Sequence, residues 1–160
     1  MHEHAAPAVM RMTKPAFTVI GQAGSTDDGD GFIARLWEIA NARFPEITHL
    51  VRTDENGVPV GIWGCMTDMS GQFLPWEDSF SRGRYLAGAE CRTDAVVPHG
   101  WTVWSIPGFV YLMTENADPD TFSRMLAYLS EQNIPLVGAV QEYTQPASGK
   151  SYLCFPVERL

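Results

Sequence analysis

The alternation of apolar and polar residues is clearest in the middle of the chain, from Tyr85 to Tyr111. Neighbouring side chains over Tyr85–Arg92 fall on opposite faces, which is the period of a pleated strand. Pro98-His99-Gly100 favours a turn, because proline restricts one backbone dihedral and glycine adopts conformations that other residues avoid. Two further runs, over 101–106 and 109–113, predict the strands that follow.

Before this stretch the pattern predicts a strand, a helix and a hairpin. Ala16–Ala23 is typical of a strand. From Gly31 to Arg43 apolar residues recur every three or four positions, as on one face of an amphipathic helix. Apolar runs over Ile47–Arg52 and Val60–Met66, with the turn residues Asp54–Gly57 between them, predict a hairpin.

After the second predicted strand of that hairpin, Thr67–Arg84 is polar and irregular, and its own aromatic residues favour a functional loop that folds back onto the core or a pocket. A proline in the first turn, next to a capping aspartate, predicts a second helix over Pro119–Gln132. Leu136–Thr144 and Ser151–Val157 are the last predicted strands.

This order of elements predicts an α+β fold with a largely antiparallel sheet, because runs of neighbouring strands alternate with only two helices. Each helix is followed by a hairpin, so the fold is expected to be a pseudo-symmetric pair of strand–helix–hairpin units. Residues 16–160 are expected to form one domain. Met1–Pro15 has no periodicity and is expected to be a flexible tail.

Charge and composition exclude several classes of function. The chain has 11 lysine and arginine residues against 19 aspartate and glutamate residues, a net charge of −8, with no basic cluster, so direct nucleic-acid binding is not expected. No membrane span or signal peptide is recognisable, which favours a cytoplasmic protein without membrane contact. Cys65, Cys91 and Cys154 are far apart in apolar runs and are expected to be buried thiols.

The sequence contains no complete motif for a metal or a cofactor, so neither is expected. His2 and His4 could hold a metal only at a floppy terminus, without the oriented ligand set that metal sites need. An EF-hand pattern fails because Ile33 occupies the position of its glycine. Gly149-Lys150-Ser151 is not a phosphate-binding loop, because Thr144 stands where the earlier glycine is required.

Several segments together resemble the GyrI-like small-molecule-binding domain, also known as the AraC- or MerR-type effector-binding domain. Each match is loose, but their order and spacing are characteristic, and they span almost the whole chain after the tail. The matching segments are YLAGAE (Tyr85–Glu90), VVPHGW (Val96–Trp101), SIPGFVY (Ser105–Tyr111), GIWGCMTD (Gly61–Asp68), QEYT (Gln141–Thr144) and CFPV (Cys154–Val157).

The resemblance implies a ligand groove between the two halves, lined by aromatic residues and containing an acidic residue at the position of Glu142. Aromatic faces and a carboxylate both attract cations. A planar or cationic hydrophobic small molecule is therefore the expected ligand. The expected ligand-binding residues are Glu142, Trp63, Tyr85, Trp104, Phe109, Tyr143 and Trp37.

Related regulators carry a DNA-binding module before this domain, and this chain has none, so a stand-alone version is expected. Two alternatives to ligand binding stay open through the same resemblance. Some stand-alone members resemble hydrolases that open the cyclopropane ring of alkylating toxins, in which case Glu142 would be catalytic. Others act as gyrase inhibitors through a protein partner.

Overall fold

An eight-stranded antiparallel sheet forms the centre of the computed structural model, which describes residues 7–160. Its strands are β1 (Met10–Lys14), β2 (Phe17–Ser25), β3 (Ile62–Thr67), β4 (Arg84–Cys91), β5 (Thr102–Ile106), β6 (Phe109–Glu115), β7 (Gln141–Gln145) and β8 (Lys150–Arg159). The helices are α1 (Phe32–Arg43), the single turn α2 (Glu77–Phe80) and α3 (Thr121–Glu131), with short 3-10 turns at Thr26–Asp28 and Phe44–Glu46. The strand order is β1-β6-β8-β7-β3-β4-β2-β5.

Two similar units make up this sheet and meet at its centre. The first unit is β2-α1-β3-β4 and the second is β6-α3-β7-β8, and their strands lie in the equivalent orders β3-β4-β2 and β7-β8-β6. β3 pairs with β7 at the junction, where Trp63 lies opposite Tyr143 and Gly64 opposite Glu142. The predicted α+β fold with two strand–helix–hairpin units is confirmed.

The short strands β1 and β5 are exchanged between the units. β1 precedes β2 in the chain but pairs with β6, and β5 precedes β6 but pairs with β2. The chain passes from one unit to the other, between β1 and β2 and between β5 and β6, through the related sequences Pro15-Ala16-Phe17 and Pro107-Gly108-Phe109. Proline has no N–H to donate to a ladder, so it suits the point where the chain leaves one partner strand for another.

Strand β1 corrects the prediction of a flexible tail up to Pro15. Met10 pairs with Met113 and Lys14 with Phe109, so the ordered sheet begins several residues before Ala16. The sequence Met-Arg-Met-Thr-Lys has a weak pattern because an edge strand is only half covered, and its partner lies far along the chain. His2 and His4 lie outside the described residues.

Two predicted strand segments are wrong. Over 47–52, Ile47, Leu50 and Val51 are buried, but the chain makes only an isolated bridge between Val51 and Cys91. Over 136–140, the backbone bonds irregularly to β8 and to the loop before β4. Both segments are apolar because they fill the core, and periodicity alone does not distinguish that burial from a strand.

The sheet has two differently covered faces. On one, which we call the helix face, α1 packs over the first unit and α3 over the second. The sheet curls around the other, which we call the inner face, and its side chains form a separate core. Buried members of this inner core include Phe17, Trp63, Leu86, Phe109 and Tyr111. The three cysteines are buried, as expected.

Candidate functional site

Glu142 lies at the centre of the sheet, on the helix face between α1 and α3. Its Oε1 accepts a short hydrogen bond from the Tyr85 hydroxyl, and that hydroxyl accepts one from the Trp37 indole N–H at 3.0 Å. Trp37 belongs to α1, Tyr85 to β4 and Glu142 to β7. The structure therefore brings together three of the seven residues expected at the site, from three different elements.

Gly64 makes room for this arrangement. It lies in β3 directly opposite Glu142, between the strands that carry Glu142 and Tyr85. A Cβ atom at this position would overlap the Tyr85 hydroxyl and the Glu142 carboxylate, and would lie 2.8 Å from Tyr85 Cζ. The hydrogen bond between the two side chains thus depends on the absence of a side chain at residue 64.

The Glu142 carboxylate is partly buried, and the part of the chain that the structure describes offers it no cationic partner. None of the ion pairs found within residues 7–160 involves it. Burial raises the pKa of Glu142, and the hydrogen bond from Tyr85 opposes this rise only in part. Burial and the nearby negative charge of Glu142 also raise the pKa of Tyr85, so its hydroxyl remains a donor at neutral pH.

Two apolar cavities lie towards opposite ends of the β3–β7 junction, and Glu142 is in the strand between them but lines neither. The first, the Phe122 cavity, has a volume of about 160 Å³. It is lined by Met66, Trp76, Phe80, Phe122 and Val140. The second, the Phe44 cavity, has a volume of about 200 Å³. Its lining residues include Trp37, Phe44, Pro59, Ile62 and Pro146. We call the two cavities and the intervening carboxylate the helix-face groove.

Part of the wall of the Phe122 cavity comes from the loop between β3 and β4. The Phe80 ring meets the Phe122 ring of α3 edge to face, with centroids 5.3 Å apart. Asp78, Ser79 and Phe80 have positive φ values of 51°, 58° and 67°, a conformation that non-glycine residues seldom adopt. The site residues expected from the sequence do not include Phe80, although the aromatic residues of this loop were a sequence signal for it.

The other four expected residues lie away from Glu142, in the core of the inner face. Trp63 contacts Tyr143 there, with ring centroids 4.7 Å apart, and Phe109 and Trp104 belong to the same core. Neighbouring residues of a strand point to opposite faces, so Tyr143 cannot share the face of Glu142. The expected single groove is therefore divided between two faces of the sheet.

The described part of the chain contains neither a cluster of metal-ligating side chains nor a helix suited to crossing a membrane. Within residues 7–160, no three His, Cys, Asp or Glu side chains are close enough together to hold a metal ion. None of the helices described is long and apolar enough to cross a membrane.

A sheet of two strand–helix–hairpin units is the arrangement that the resemblance to effector-binding domains implies. No protein-family profile matches the chain, and no curated protein matches it significantly. Solved structures do share its fold. SAV2435 bound to tetraphenylphosphonium aligns with a TM-score of 0.67 at 15% identity, covering 94% of each chain.

EcmrR provides two further likenesses. Its C-terminal domain aligns with a TM-score of 0.64 at 10% identity, covering 98% of this chain and 100% of that one. EcmrR in a complex with DNA aligns with a TM-score of 0.62 at 13% identity, covering 97% of this chain but only 59% of EcmrR. At these identities the comparisons show the fold, and they confirm the resemblance to GyrI-like effector-binding domains at that level.

Proposed function

We propose that this chain is an effector-binding domain that holds a hydrophobic organic cation in the helix-face groove, with Glu142 as its counter-charge. The observation that carries the proposal is a partly buried carboxylate that forms no ion pair within residues 7–160 and lies along β7 between two apolar cavities. Desolvation disfavours an ionised carboxylate, and a bound cation offsets that cost. A ligand of this chemistry therefore gains both apolar contact and charge pairing.

The hydrogen bonds around Glu142 orient the carboxylate for this role. Tyr85 donates to Oε1 and is itself held by Trp37, so one oxygen is fixed from the sheet side. No protein hydrogen bond to Oε2 is found among residues 7–160. This second oxygen can pair with a cationic ligand without breaking the contact with Tyr85.

The cavity volumes indicate how a ligand would lie. Each cavity is smaller than the roughly 300 Å³ at the lower end of drug-sized binding sites. A ligand of that size therefore extends into both cavities with its charge near Glu142, or it displaces Phe80 from Phe122. The tetraphenylphosphonium bound to SAV2435, a hydrophobic cation, is consistent with this chemistry in a protein of the same fold.

A matched pair of ligands tests the proposal. Methyltriphenylphosphonium and triphenylphosphine oxide have similar shapes, but only the first is cationic. Trp37 and Trp76 line the groove, so binding is measured by tryptophan fluorescence and calorimetry. Glu142→Gln preserves the shape and removes the charge, and it is expected to weaken phosphonium binding by about ten- to a hundredfold.

The controls separate local from general charge effects. Glu142→Gln should leave the weak binding of the phosphine oxide nearly unchanged. Glu55→Gln removes the same charge from an exposed turn and should not alter phosphonium affinity. Equal affinities for the two ligands, or an equal loss in both variants, would contradict a role for Glu142 as counter-charge.

The hydrogen bond between Tyr85 and Glu142 also favours a second candidate, hydrolysis of a strained ring. A carboxylate with a raised pKa in an apolar groove can act as a general base, with Tyr85 orienting it. It would take a proton from the water that attacks the ring carbon and return that proton to the atom released by ring opening. Mass spectrometry of a cyclopropane-containing alkylating compound incubated with the protein tests this candidate. A product heavier by one water, absent with Glu142→Gln, would support the enzyme; an unchanged compound would exclude it for that substrate.

A further inference from the structure

A further, larger cavity opens on the inner face, where β1 crosses into β2. Its volume is about 420 Å³, within the roughly 300–1,000 Å³ typical of ligand pockets. We call it the Lys14 cavity. Residues from β1, β2, β3, β4 and β7 and from the loop before β3 contribute to its walls. They include Lys14, Phe17, Arg52, Trp63, Glu90 and Tyr143.

The charged residues of this cavity leave one positive charge in excess. Lys14 Nζ lies 3.1 Å from Glu90 Oε1, and the Glu90 side chain is only 8% exposed, so these two charges neutralise each other. Arg52 also lines the cavity and forms no ion pair within residues 7–160. A local positive charge in a chain of net charge −8 is a feature that an anion would recognise.

Aromatic rings form the other wall of the Lys14 cavity. Trp63 and Tyr143 lie with centroids 4.7 Å apart, and the Tyr143 hydroxyl donates to the Val60 carbonyl at 3.2 Å, which fixes its ring. The Lys14 ammonium lies over the Phe17 ring, 4.4 Å from its centroid. The buried Trp63 indole N–H has no acceptor within the described part of the chain. Flat apolar surface thus lies beside the excess positive charge.

From this juxtaposition we infer that the Lys14 cavity is a second ligand site, which binds an aromatic carboxylate carrying a single negative charge. The carboxylate pairs with Arg52, whose planar guanidinium matches it with two parallel hydrogen bonds. The ring lies against the half-buried Tyr143, at the edge of the aromatic cluster that contains Trp63. A cation is disfavoured here, because Glu90 is already neutralised by Lys14 and Arg52 would repel it.

This site is distinct from the helix-face groove and does not depend on the function proposed for it. Trp63 and Tyr143 are the chain neighbours of Gly64 and Glu142, so the two sites lie on opposite faces of the same strands. Their charge preferences are opposite, since the carboxylate of one and the guanidinium of the other form no ion pair among residues 7–160. The two ligands can therefore be tested separately on one protein.

The test uses 2-naphthoate as the probe and the neutral 2-naphthamide as its isosteric control, titrated by calorimetry into the full chain. Naphthoate is expected to bind more tightly than naphthamide, and less tightly as salt concentration rises. Arg52→Gln should weaken naphthoate binding by about tenfold, the effect of losing one charge-assisted contact, and leave naphthamide unaffected. Arg92→Gln, which removes an exposed arginine elsewhere, should have no effect.

Nuclear magnetic resonance locates the probe independently of affinity. The indole N–H resonance of Trp63, assigned by its loss in Trp63→Phe, should shift on addition of naphthoate in the wild-type protein. Equal affinities for naphthoate and naphthamide, an unchanged affinity in Arg52→Gln, or an unmoved Trp63 resonance would each overturn the inference. Tighter naphthoate binding in Glu142→Gln would also overturn it, because it would place the probe in the helix-face groove.

Discussion

Replacement of Gly64 by alanine tests whether the space beside Glu142 controls the helix-face groove. The backbone at residue 64 is not among the positions with positive φ, so alanine is disfavoured only by its contacts. The added methyl group would overlap the Tyr85 hydroxyl and Glu142 Oε1. Tyr85 has no exposed surface, so its ring has little freedom to move away. The expected result is loss of the hydrogen bond between Tyr85 and Glu142.

The size of the effect follows from this geometry. Forcing one extra methyl group into a packed site destabilises a protein by about 1–3 kcal/mol, which corresponds to several degrees in melting temperature for a chain of this length. The Tyr85 hydrogen bond holds the carboxylate in place, and a loss of about 1.4 kcal/mol in its attraction to the cation would weaken methyltriphenylphosphonium binding by about tenfold. Differential scanning calorimetry and binding calorimetry measure the two effects.

Gly61 provides the matched control, because it belongs to the same strand region but faces the other side of the sheet. A Cβ atom there would lie 2.6 Å from the Trp63 indole nitrogen and 2.9 Å from Tyr143 Cε1. Gly61→Ala should therefore also destabilise the protein but leave phosphonium affinity unchanged. Gly64→Ala with wild-type affinity and stability, or the same loss of phosphonium affinity in both variants, would refute this reasoning.

Two further predictions concern the buried carboxylates. Phosphonium affinity should rise as the pH rises through the raised pKa of Glu142, because only the ionised carboxylate attracts the cation, and binding should release protons. Calorimetry in buffers of different ionisation enthalpy measures this proton release. A pH dependence that persists in Glu142→Gln would contradict the prediction. Lys14→Met should destabilise the protein by about 1–3 kcal/mol at neutral pH, because it leaves Glu90 unpaired. The loss is smaller than for a fully buried pair, because the Lys14 side chain is partly exposed. Denaturant unfolding measures the loss, and adding Glu90→Gln should restore much of the stability; no rescue would show that Lys14 acts through packing instead.

The sequence alone determined the two longer helices, most of the strands and the class of fold. Helical periodicity and caps are local properties of a sequence. The apolar stripe over Gly31–Arg43 therefore places α1, and the start signal at Pro119 places α3, within two residues of the observed ends. Alternation likewise located β4, β5 and β6. The same alternation already separates Tyr143 from Glu142, since adjacent residues of one strand cannot face the same side.

Only the tertiary structure decided which strands are neighbours and which side chains share a face. β1 carries too little pattern to be recognised alone and is stabilised by a ladder to β6, far away in the chain. The contact of Trp37 and Tyr85 with Glu142 depends on the meeting of β3 and β7 at the junction of the two units. Pairing of this kind is set by the burial of whole faces, and no stretch of sequence contains that information by itself.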